Sequence, residues 1–389
     1  MTQVALAERL GALPPYPLAE IPVLRARLRG EGVDVIDLGA GDADLAPPPR
    51  AVERMTEALA DPSMSRYPFQ LGYPPFREAV ANWMAERFDI RLDPMTELLP
   101  LLGSKEGIAH LPLAVVNPGE VVVFPDPGYQ AYRGGAVLAG AEPVAMHVRP
   151  ENEYLLRPWT LDEGVQRRIR MVILNYPHNP TTAVAPRGYL AEVVDFCRKR
   201  GAVLVHDHAY SEIAFDGYRP PSILEIPGAR DVAIEFHSCS KTYNMTGWRL
   251  GWAAGDAGLI GALSRLKTFV DTGVFKAVQA GGLGALESYH DWFPGNREVF
   301  RRRRDAAAEG LRSAGFQPRV PEASMYLWVP LPGGVSGPDF TRRALEEGGV
   351  VVMPGTALGR GGEGFFRIAL TVPEARLAEA GERLGRIAW

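Results

Sequence analysis

Residues 170–207 read RMVILNYPHNPTTAVAPRGYLAEVVDFCRKRGAVLVHD, and they contain a complete strand, helix and strand unit. The apolar run RMVILNYP predicts a buried strand. RGYLAEVVDFCRKR follows Pro186 with apolar residues at helical spacing, and this helix should end at Gly201. AVLVHD is a second apolar strand. Two strands joined by a helix of this length predict a parallel pair within an α/β sheet.

The same alternation of strands and helices continues on both sides of this unit. DVAIEFHS (231–238) predicts a strand downstream, and EVVVFPDPGY (120–129) predicts one upstream that is bounded by turn signals. In open parallel sheets, ligands bind outside the carboxyl ends of the strands because loops and helix N-termini converge there. Four loops should therefore meet in one crevice. They carry Tyr129, Asn175 to Asn179, Asp207 to Tyr210, and Ser238 to Lys241.

The composition sets limits on the class of protein. The 389 residues are 46% apolar and 23% charged, with a net charge of -4, which predicts a soluble two-domain protein that binds neither nucleic acid nor membrane. Cys197 and Cys239 are the only cysteines and suggest neither a disulfide framework nor a zinc site. Because the sequence has no basic leader and no run of about 18 apolar residues, we expect a cytoplasmic location.

The sequence pattern changes after about residue 285. An Arg/Glu-rich helical segment precedes three short strand-like stretches, SMYLWVPLP, GVVVMPG and FFRIALTV, and the N-terminal arm carries DVIDLGAGD. We predict a large domain over residues 46–285 and a smaller α+β domain formed by residues 1–45 and 286–389. The run Arg301 to Arg304 should open a helical stretch with a solvated face that ends near Ser313.

A single lysine stands within HSCSKTYNMTGWRLGW (237–252), although only five of the 42 basic residues are lysines. Unlike arginine, lysine can form an imine with an aldehyde once burial or a nearby cation lowers its pKa. If the aldehyde belongs to pyridoxal 5′-phosphate (PLP), Lys241 is the candidate attachment point and three further needs follow. The phosphate of this cofactor needs donors and cations. The candidates are Ser238, Ser240, Arg249 and a helix N-terminus near Ser104 and Lys105.

The ring of such a cofactor has needs of its own. Its pyridine nitrogen needs a buried carboxylate to stay protonated, and Asp207 ends an apolar strand. Tyr210 and Asn179 could donate to the ring oxygen, while Tyr129 could stack against the ring. Taken singly, each of these residues is better explained by a cap, a turn or core packing.

The motifs SCSKTYNMTGWRLGW, NYPHNPTTA, DHAYSEIAFDG and FFRIAL resemble the class I/II PLP-dependent aminotransferases of fold type I, in order and spacing over nearly the whole chain. The resemblance implies an α/β, fold type I PLP-dependent transferase with a mostly parallel, seven-stranded type of sheet in its large domain. It implies that Lys241 carries the cofactor and moves a proton. Asp207 and Tyr210 would complete the catalytic set, and Asn179, Ser104, Lys105, Tyr129, Ser238, Ser240 and Arg249 would bind the cofactor.

The resemblance also implies contacts outside this group. Tyr67, in RYPFQLGYPPFREAV, would reach the phosphate of a neighbouring subunit, so a homodimer with shared sites is expected. Arg367 would grip the α-carboxylate with two parallel bonds, which a lysine could not do. The remaining substrate contacts would come from Tyr16, Gly41, Lys105 and Asn179.

LPPYPLAEI, LGAGDADLAPPP and GSKEGIAHLPLAVVNPGE resemble the bacterial LL-diaminopimelate aminotransferase branch of this family, which would place the chain in lysine biosynthesis with 2-oxoglutarate as partner substrate. Three residues depart from that branch or the wider family. Gln70 stands where a glutamate is usual, Thr272 where an asparagine is usual, and Thr182 where a glycine follows NPT. Loss of an acid that could pair with a distal ammonium bears most on specificity.

Other functions remain open at this level. An aminotransferase for aspartate, alanine, methionine or aromatic amino acids, a PLP-dependent β-lyase or a cyclopropane-forming synthase would use the same cofactor residues. His206 and His208 lie on one strand face and could be metal ligands, but no compact third ligand is evident, so no metal is predicted. A PLP-sensing regulator would need an added DNA-binding domain. A nucleotide-binding protein would need a Walker loop, which is absent from the sequence.

Overall fold

The structure is a computed structural model and describes residues 4–13, 21–69 and 72–389. Its helices are α1 (Glu8–Gly11), α2 (Ile21–Gly30), α3 (Pro49–Leu59), α4 (Pro74–Phe88), α5 (Ser104–Val115), α6 (Gln130–Leu138), α7 (Glu163–Gln166), α8 (Arg187–Arg200), α9 (Cys239–Thr242), α10 (Ala257–Val270), α11 (Lys276–Glu287), α12 (Phe293–Ser313), α13 (Gly337–Gly348) and α14 (Glu374–Gly385). Its strands are β1 (Ile36–Asp37), β2 (Leu98–Leu101), β3 (Val121–Asp126), β4 (Glu142–His147), β5 (Ile169–Leu174), β6 (Val203–Asp207), β7 (Ala233–Ser238), β8 (Gly251–Gly255), β9 (Tyr326–Pro330), β10 (Val350–Val351), β11 (Met353–Pro354) and β12 (Phe365–Ala369).

The largest sheet has seven strands in the order β2-β8-β7-β6-β5-β3-β4. Strand β8 runs antiparallel to both of its neighbours, and every other adjacent pair is parallel. Strands β3, β6 and β7 are buried at every residue because apolar clusters cover both faces of the sheet. The predicted mostly parallel, seven-stranded sheet is confirmed.

The unit predicted from residues 170–207 is present as β5, α8 and β6. Helix α8 starts directly after Pro186 and ends before Gly201, whose φ of 63° is left-handed and therefore suits glycine. Strand β6 then pairs in parallel with β5, with Val172 opposite Leu204. The strands predicted in residues 120–129 and 231–238 are also confirmed, as β3 and β7.

A second apolar cluster lies around two small sheets. Strand β1, from the N-terminal arm, pairs in parallel with β10, and β11, β12 and β9 form an antiparallel sheet in that order. Helices α12 and α14 pack against each other beside these sheets. The arm that contains DVIDLGAGD thus joins the C-terminal part of the chain through its strand. The domain boundaries at residues 45 and 285 remain a prediction.

The expectation for the arginine run was wrong in two respects. Helix α12 starts at Phe293, well before the run, and Arg303 and Arg304 are buried. Arg303 donates to Asp44 at 2.6 Å, and Arg304 donates to Asp216 at 2.5 Å. Successive residues turn about 100° around a helix, so four in a row cannot all face solvent on a packed helix. These two arginines therefore form structural ion pairs.

Two further findings concern the class of protein. None of the described helices is long and apolar enough to cross a membrane. Cys197 and Cys239 are both buried and unbonded to each other, and burial raises the pKa of each thiol beyond its usual range. Both thiols therefore stay protonated and belong to the apolar core.

Candidate active site

A cavity of about 420 Å³ opens at the carboxyl ends of β3, β5, β6 and β7, which are neighbours in the sheet. This volume suits a cofactor together with a small substrate. The convergence of four loops predicted from the sequence is confirmed. The predicted site residues that line the cavity are Gly41, Ser104, Lys105, Tyr129, Asn179, Asp207, Tyr210, Ser238, Ser240, Lys241, Arg249 and Arg367.

Lys241 lies on the four-residue helix α9, directly after β7. The Ser238 side chain caps this helix by accepting a hydrogen bond from the backbone N–H of Ser240 at 3.2 Å. The Lys241 ammonium is half-buried and donates to the carbonyl oxygen of Gly41, which lies 200 residues earlier in the chain. The amine is thus held inside the cavity where the two parts of the chain meet.

Asp207 ends β6 and is buried against the cavity. Its Oδ2 accepts a hydrogen bond from the Tyr132 hydroxyl at 2.8 Å, while its buried Oδ1 has no partner among the described residues. Burial raises the pKa of the Asp207 carboxyl, and the hydrogen bond from Tyr132 is the main opposing effect. An unpaired buried carboxylate oxygen is costly, so this atom is suited to a donor or a cation from a bound molecule.

The other end of the cavity is suited to an anion. Helix α5 begins at Ser104, and its first backbone N–H groups have no partners within the helix. Gly103 precedes it at a φ of 77°, and a Cβ there would lie 2.5 Å from Nη2 of Arg249. The Arg249 guanidinium donates to the carbonyl oxygen of Thr246 at 2.8 Å. A helix N-terminus, a guanidinium, Ser238 at the end of β7 and Ser240 in α9 therefore surround one position.

Aromatic side chains form the walls between these two ends. Tyr129 precedes α6, and its ring meets that of Tyr132 edge-on with centroids 5.8 Å apart. The Lys105 ammonium lies 5.6 Å from the centroid of the Tyr129 ring. Across the cavity, the hydroxyls of Tyr210 and Tyr326 are 3.3 Å apart. Burial holds the pKa of Tyr210 well above its usual range, so its hydroxyl keeps its proton and can donate.

Arg367 enters the cavity from β12 and is 4% exposed. Its guanidinium donates to Oδ1 of Asn179 and to the carbonyl oxygen of Gly39, each at 2.8 Å, and stacks 4.1 Å above the ring centroid of Tyr326. The buried Nε–H has no partner among the described residues. A fixed guanidinium with an unpaired donor is suited to a carboxylate.

Tyr132 and Tyr326 are site residues that the sequence analysis missed. Tyr132 lies three residues after Tyr129, so both occupy one face of the start of α6, and that spacing could have revealed it. Tyr326 begins β9 and resembles an ordinary core residue in the sequence. A Cβ on Gly41 would lie 2.0 Å from the Tyr326 hydroxyl oxygen, so only glycine fits there.

One predicted contact within the described residues is not in the cavity. Tyr67 is 72% exposed and does not line it, and Tyr16, like Gln70, lies outside the described residues. Thr272 lines a small separate cleft beside Phe69. Thr272 and Thr182 both adopt left-handed φ values, of 63° and 61°, although β-branched residues disfavour them. The backbone at Thr182 thus has a conformation that a glycine would adopt without strain.

The histidine pair considered as metal ligands has a third neighbour after all. His206, His208 and Glu235 are buried together, with potential ligand atoms within 4.8 Å of one another. Glu235 was missed because it lies on β7, the neighbouring strand, where it pairs directly with His206. His206 and Glu235 are far apart in the sequence, and only the register between β6 and β7 brings them into contact.

Three comparisons with known proteins agree with this geometry. The family model "Aminotransferase class I and II" matches residues 33–384. An LL-diaminopimelate aminotransferase from Desulforudis audaxviator is 49% identical over 97% of this chain and 96% of its own length, and one from Nitratidesulfovibrio vulgaris is 46% identical over the full length of both. The solved structure of a probable N-succinyldiaminopimelate aminotransferase from Thermus thermophilus has a TM-score of 0.89 at 37% identity, over 94% of this chain and 98% of that one. The sequence resemblance is confirmed, and the chain belongs to the class I and II aminotransferases.

Proposed function

We propose that this aminotransferase uses PLP to move the amino group of LL-diaminopimelate to 2-oxoglutarate. One observation carries the cofactor assignment. Three features face one cavity. They are a lysine amine, a buried carboxylate oxygen without a partner among the described residues, and a helix N-terminus with an adjacent guanidinium. PLP presents an aldehyde, a ring nitrogen and a phosphate, which are the three groups that these features complement.

The residues that would hold the cofactor follow from this match. Lys241 would bind the aldehyde, Asp207 the ring nitrogen and Tyr210 the ring oxygen. The phosphate would lie at the start of α5, near Arg249. Bound PLP would supply an electron sink that makes the α-hydrogen of an amino acid acidic.

The chain itself would supply positioning and proton transfer. Arg367 would orient the α-carboxylate, so that the α-carbon lies near the Lys241 amine. The Lys241 amine, when free, would take the proton from the α-carbon as a general base and would pass it to the former aldehyde carbon of the cofactor. The side chain of Asp207 would keep a proton on the ring nitrogen, and the Tyr210 hydroxyl would donate to the ring oxygen.

The substrate assignment rests on the names of the similar proteins and on the position of Lys105 in the cavity. Both curated relatives described above are named LL-diaminopimelate aminotransferases, at 46% and 49% identity. Lys105 is exposed and lines the cavity, where its ammonium could bind a distal carboxylate. Aminotransfer from aspartate, alanine, methionine or aromatic amino acids is the alternative, and Gln70 and Thr272 are the departures that favour it.

A donor screen tests this proposal. With 2-oxoglutarate as acceptor, we expect kcat/KM for LL-diaminopimelate to exceed that for aspartate, alanine, methionine and aromatic amino acids by at least about a hundredfold, since a distal polar group that goes unmatched costs that much. The measurement is coupled spectrophotometric detection of glutamate. Activity on monoamino donors with none on LL-diaminopimelate would retire the substrate assignment. Turnover without any acceptor would indicate a β-lyase.

We further propose that two copies of the chain form a dimer in which Tyr67 serves the partner's cavity. Phe269 is 83% exposed at the end of α10, and the rings of Tyr67 and Phe69 lie together at 5.6 Å between centroids. The backbone of Gly273 lies against that of Phe69, so both segments share one surface. Val270 and Phe275 on this surface are exposed as well. A patch of exposed apolar residues is typical of a protein interface.

Mixing two inactive variants tests whether Tyr67 acts across the interface. Lys241→Ala removes the amine and Tyr67→Ala removes the phenol, and a mixed dimer would contain one site with neither defect. Each variant alone should have low activity, and refolding them together should restore up to about a quarter of the wild-type rate for statistical reassociation of C2 dimers. If Tyr67 acts within its own chain, mixing restores nothing.

A further inference from the structure

His206 lies at the end of β6, on the opposite face from the Asp207 side chain, and both of its ring nitrogens have partners. Nδ1 is 2.8 Å from Oε2 of Glu235, and Nε2 is 3.0 Å from the carbonyl oxygen of Tyr176. His206 and Glu235 have no solvent exposure. A carbonyl oxygen only accepts, so Nε2 must carry a hydrogen. The charge of the ring then depends on where the proton between Nδ1 and Glu235 resides.

The surroundings of Glu235 favour an ionised carboxylate. Its oxygens accept from the Ser222 hydroxyl at 2.7 Å and from the backbone N–H of Ile223 at 2.8 Å, and Nε2 of His237 lies 2.8 Å away. Burial alone would raise the pKa of this carboxyl, but the hydrogen bonds from His206 and His237 are among the effects that hold its pKa well below the usual range. The proton therefore belongs to a histidine.

Among the three histidines, His206 is placed to carry that proton. Nδ1 of His208 lies 3.4 Å from Glu235, and neither of its ring nitrogens makes a hydrogen bond within the described chain. Burial lowers the pKa of His208 to about 3, so it is neutral. Nε2 of His237 can donate to Glu235, but its other ring nitrogen has no part in this contact. His206 has an acceptor at both nitrogens, which is the arrangement an imidazolium requires. The other titratable groups beside it are Asp207, the next residue in the chain, and His208, whose ring stacks on that of His206 with centroids 4.5 Å apart.

The same group could be taken for a metal site, but its distances favour a hydrogen-bonded ion pair. Ligand atoms around a tetrahedral zinc ion with bonds of about 2.0 to 2.1 Å lie roughly 3.3 Å apart. The 2.8 Å between His206 and Glu235 is shorter than this and is an ordinary charged hydrogen bond. Glu235 also receives the two donors from Ser222 and Ile223, which leave it poorly placed to bind a metal.

This pair connects three parts of the cavity wall. Through Nε2, His206 holds the carbonyl of Tyr176, the residue after Asn175. The Asn175 side chain donates to the Asp207 carbonyl at 2.7 Å and accepts from the backbone N–H of Asn179 at 2.8 Å. The carboxylate partner of His206 lies on β7, the strand that leads to α9. Glu235 and His206 thus link β6, β7 and the loop after β5, which carry the candidate cofactor contacts.

We propose that Glu235 and His206 form a buried carboxylate–imidazolium pair whose role is to position Asn179 and keep Asp207 ionised. They are positioning residues for the aminotransferase reaction, and this role rests on the proposed PLP function. The imidazolium charge lowers the pKa of Asp207 and so opposes the effect of burial. A carboxylate in an apolar sheet would otherwise tend to take up a proton before the cofactor binds.

The protonation state can be measured without any variant. Neutron diffraction from deuterated crystals, or ¹⁵N NMR of histidine-labelled protein, should show hydrogen on both nitrogens of one buried histidine at pH 8. Loss of that signal in His206→Gln assigns it. A singly protonated His206 at this pH would overturn the proposal. One equivalent of bound metal per chain, after purification without chelator, would also overturn it.

Substitution of Glu235 tests the role of the pair. In Glu235→Gln, His206 should lose its extra proton, Asp207 should be less ionised, and the cofactor Kd should rise about tenfold. The visible absorbance of the bound cofactor should titrate about one unit higher in pH, because a less protonated ring makes the lysine-linked nitrogen more basic. His208→Gln is the matched control, since the ring of His208 lies in the same cluster and makes no hydrogen bond with the described residues, and the titration of this variant should match that of the wild type.

The readouts separate this inference from the proposed function. A structural role alone would change the melting temperature of Glu235→Gln without moving the titration, and that outcome would overturn the positioning role. The histidine protonation is measured on cofactor-free protein, so it can hold even if PLP chemistry fails. If the donor screen gives the expected preference but His206 proves to be neutral, the proposed function stands and the proposed ion pair is wrong.

Discussion

Lys241→Ala should lose transaminase activity by roughly 10⁴-fold or more, because one side chain provides both the covalent attachment and the proton transfer. Its amine already lies in the cavity, held by the Gly41 carbonyl. Purified wild-type protein incubated with PLP should show a visible absorbance that changes with pH, and the variant should lack it. The measurements are the absorbance spectrum and kcat with the best amino donor.

Two control variants separate loss of the imine from loss of positive charge. Lys241→Arg keeps a positive charge but cannot form an imine, so it should be as inactive as the alanine variant. Lys199→Ala removes an exposed lysine on α8 that pairs with Asp195, and it should retain wild-type activity. Normal turnover by Lys241→Ala would contradict the proposed mechanism outright.

Asp207→Asn should lower kcat about a thousandfold, since removing one partner of a buried charge pair costs about 4 kcal/mol. The asparagine has nearly the same shape, so the loss would report the charge. In the cofactor-free protein, by contrast, the substitution should increase stability. Because burial raises the folded-state pKa of Asp207, its ionised form opposes folding at neutral pH, and the variant should melt at a higher temperature.

The pH dependence of that stability difference provides a check. As the pH falls below the folded-state pKa of Asp207, the wild-type carboxyl takes up a proton and its penalty disappears. The melting temperatures of the two cofactor-free proteins should then converge towards acid pH. Tyr132→Phe is the matched control, because it removes the 2.8 Å hydrogen bond to Asp207 but keeps the charge, and should cost at most about tenfold in kcat. An equal loss in both variants would contradict the charge argument.

The main sheet and most of the cavity could be predicted because their signals are local in the sequence. Apolar runs bounded by Pro186 and Gly201 mark strands and a helix, and polar residues after adjacent parallel strands must meet at one edge. For this reason Tyr129, Asn179 and Asp207 were found from one pattern. Arg367 was predicted only from the family resemblance, because the sequence of its strand does not indicate that this side chain enters the cavity.

The contacts that could not be predicted depend on register and packing. Glu235 faces His206 only because β6 and β7 align those two residues, and no sequence spacing reveals this alignment. Tyr326 reaches the cavity because Gly41 leaves room for its hydroxyl. Arg303 and Arg304 looked like surface charges, yet each is buried and pairs with an acid from a distant segment.

The hydrogen bonds that Arg367 makes with Gly39 and Asn179 also bear on how the protein matures in the cell. A ribosome must have synthesised the 328 residues that separate Gly39 from Arg367 before these three residues can meet. A nascent chain would therefore lack the complete pocket, and capture of the vitamin-derived cofactor would be a late event that marks finished folding.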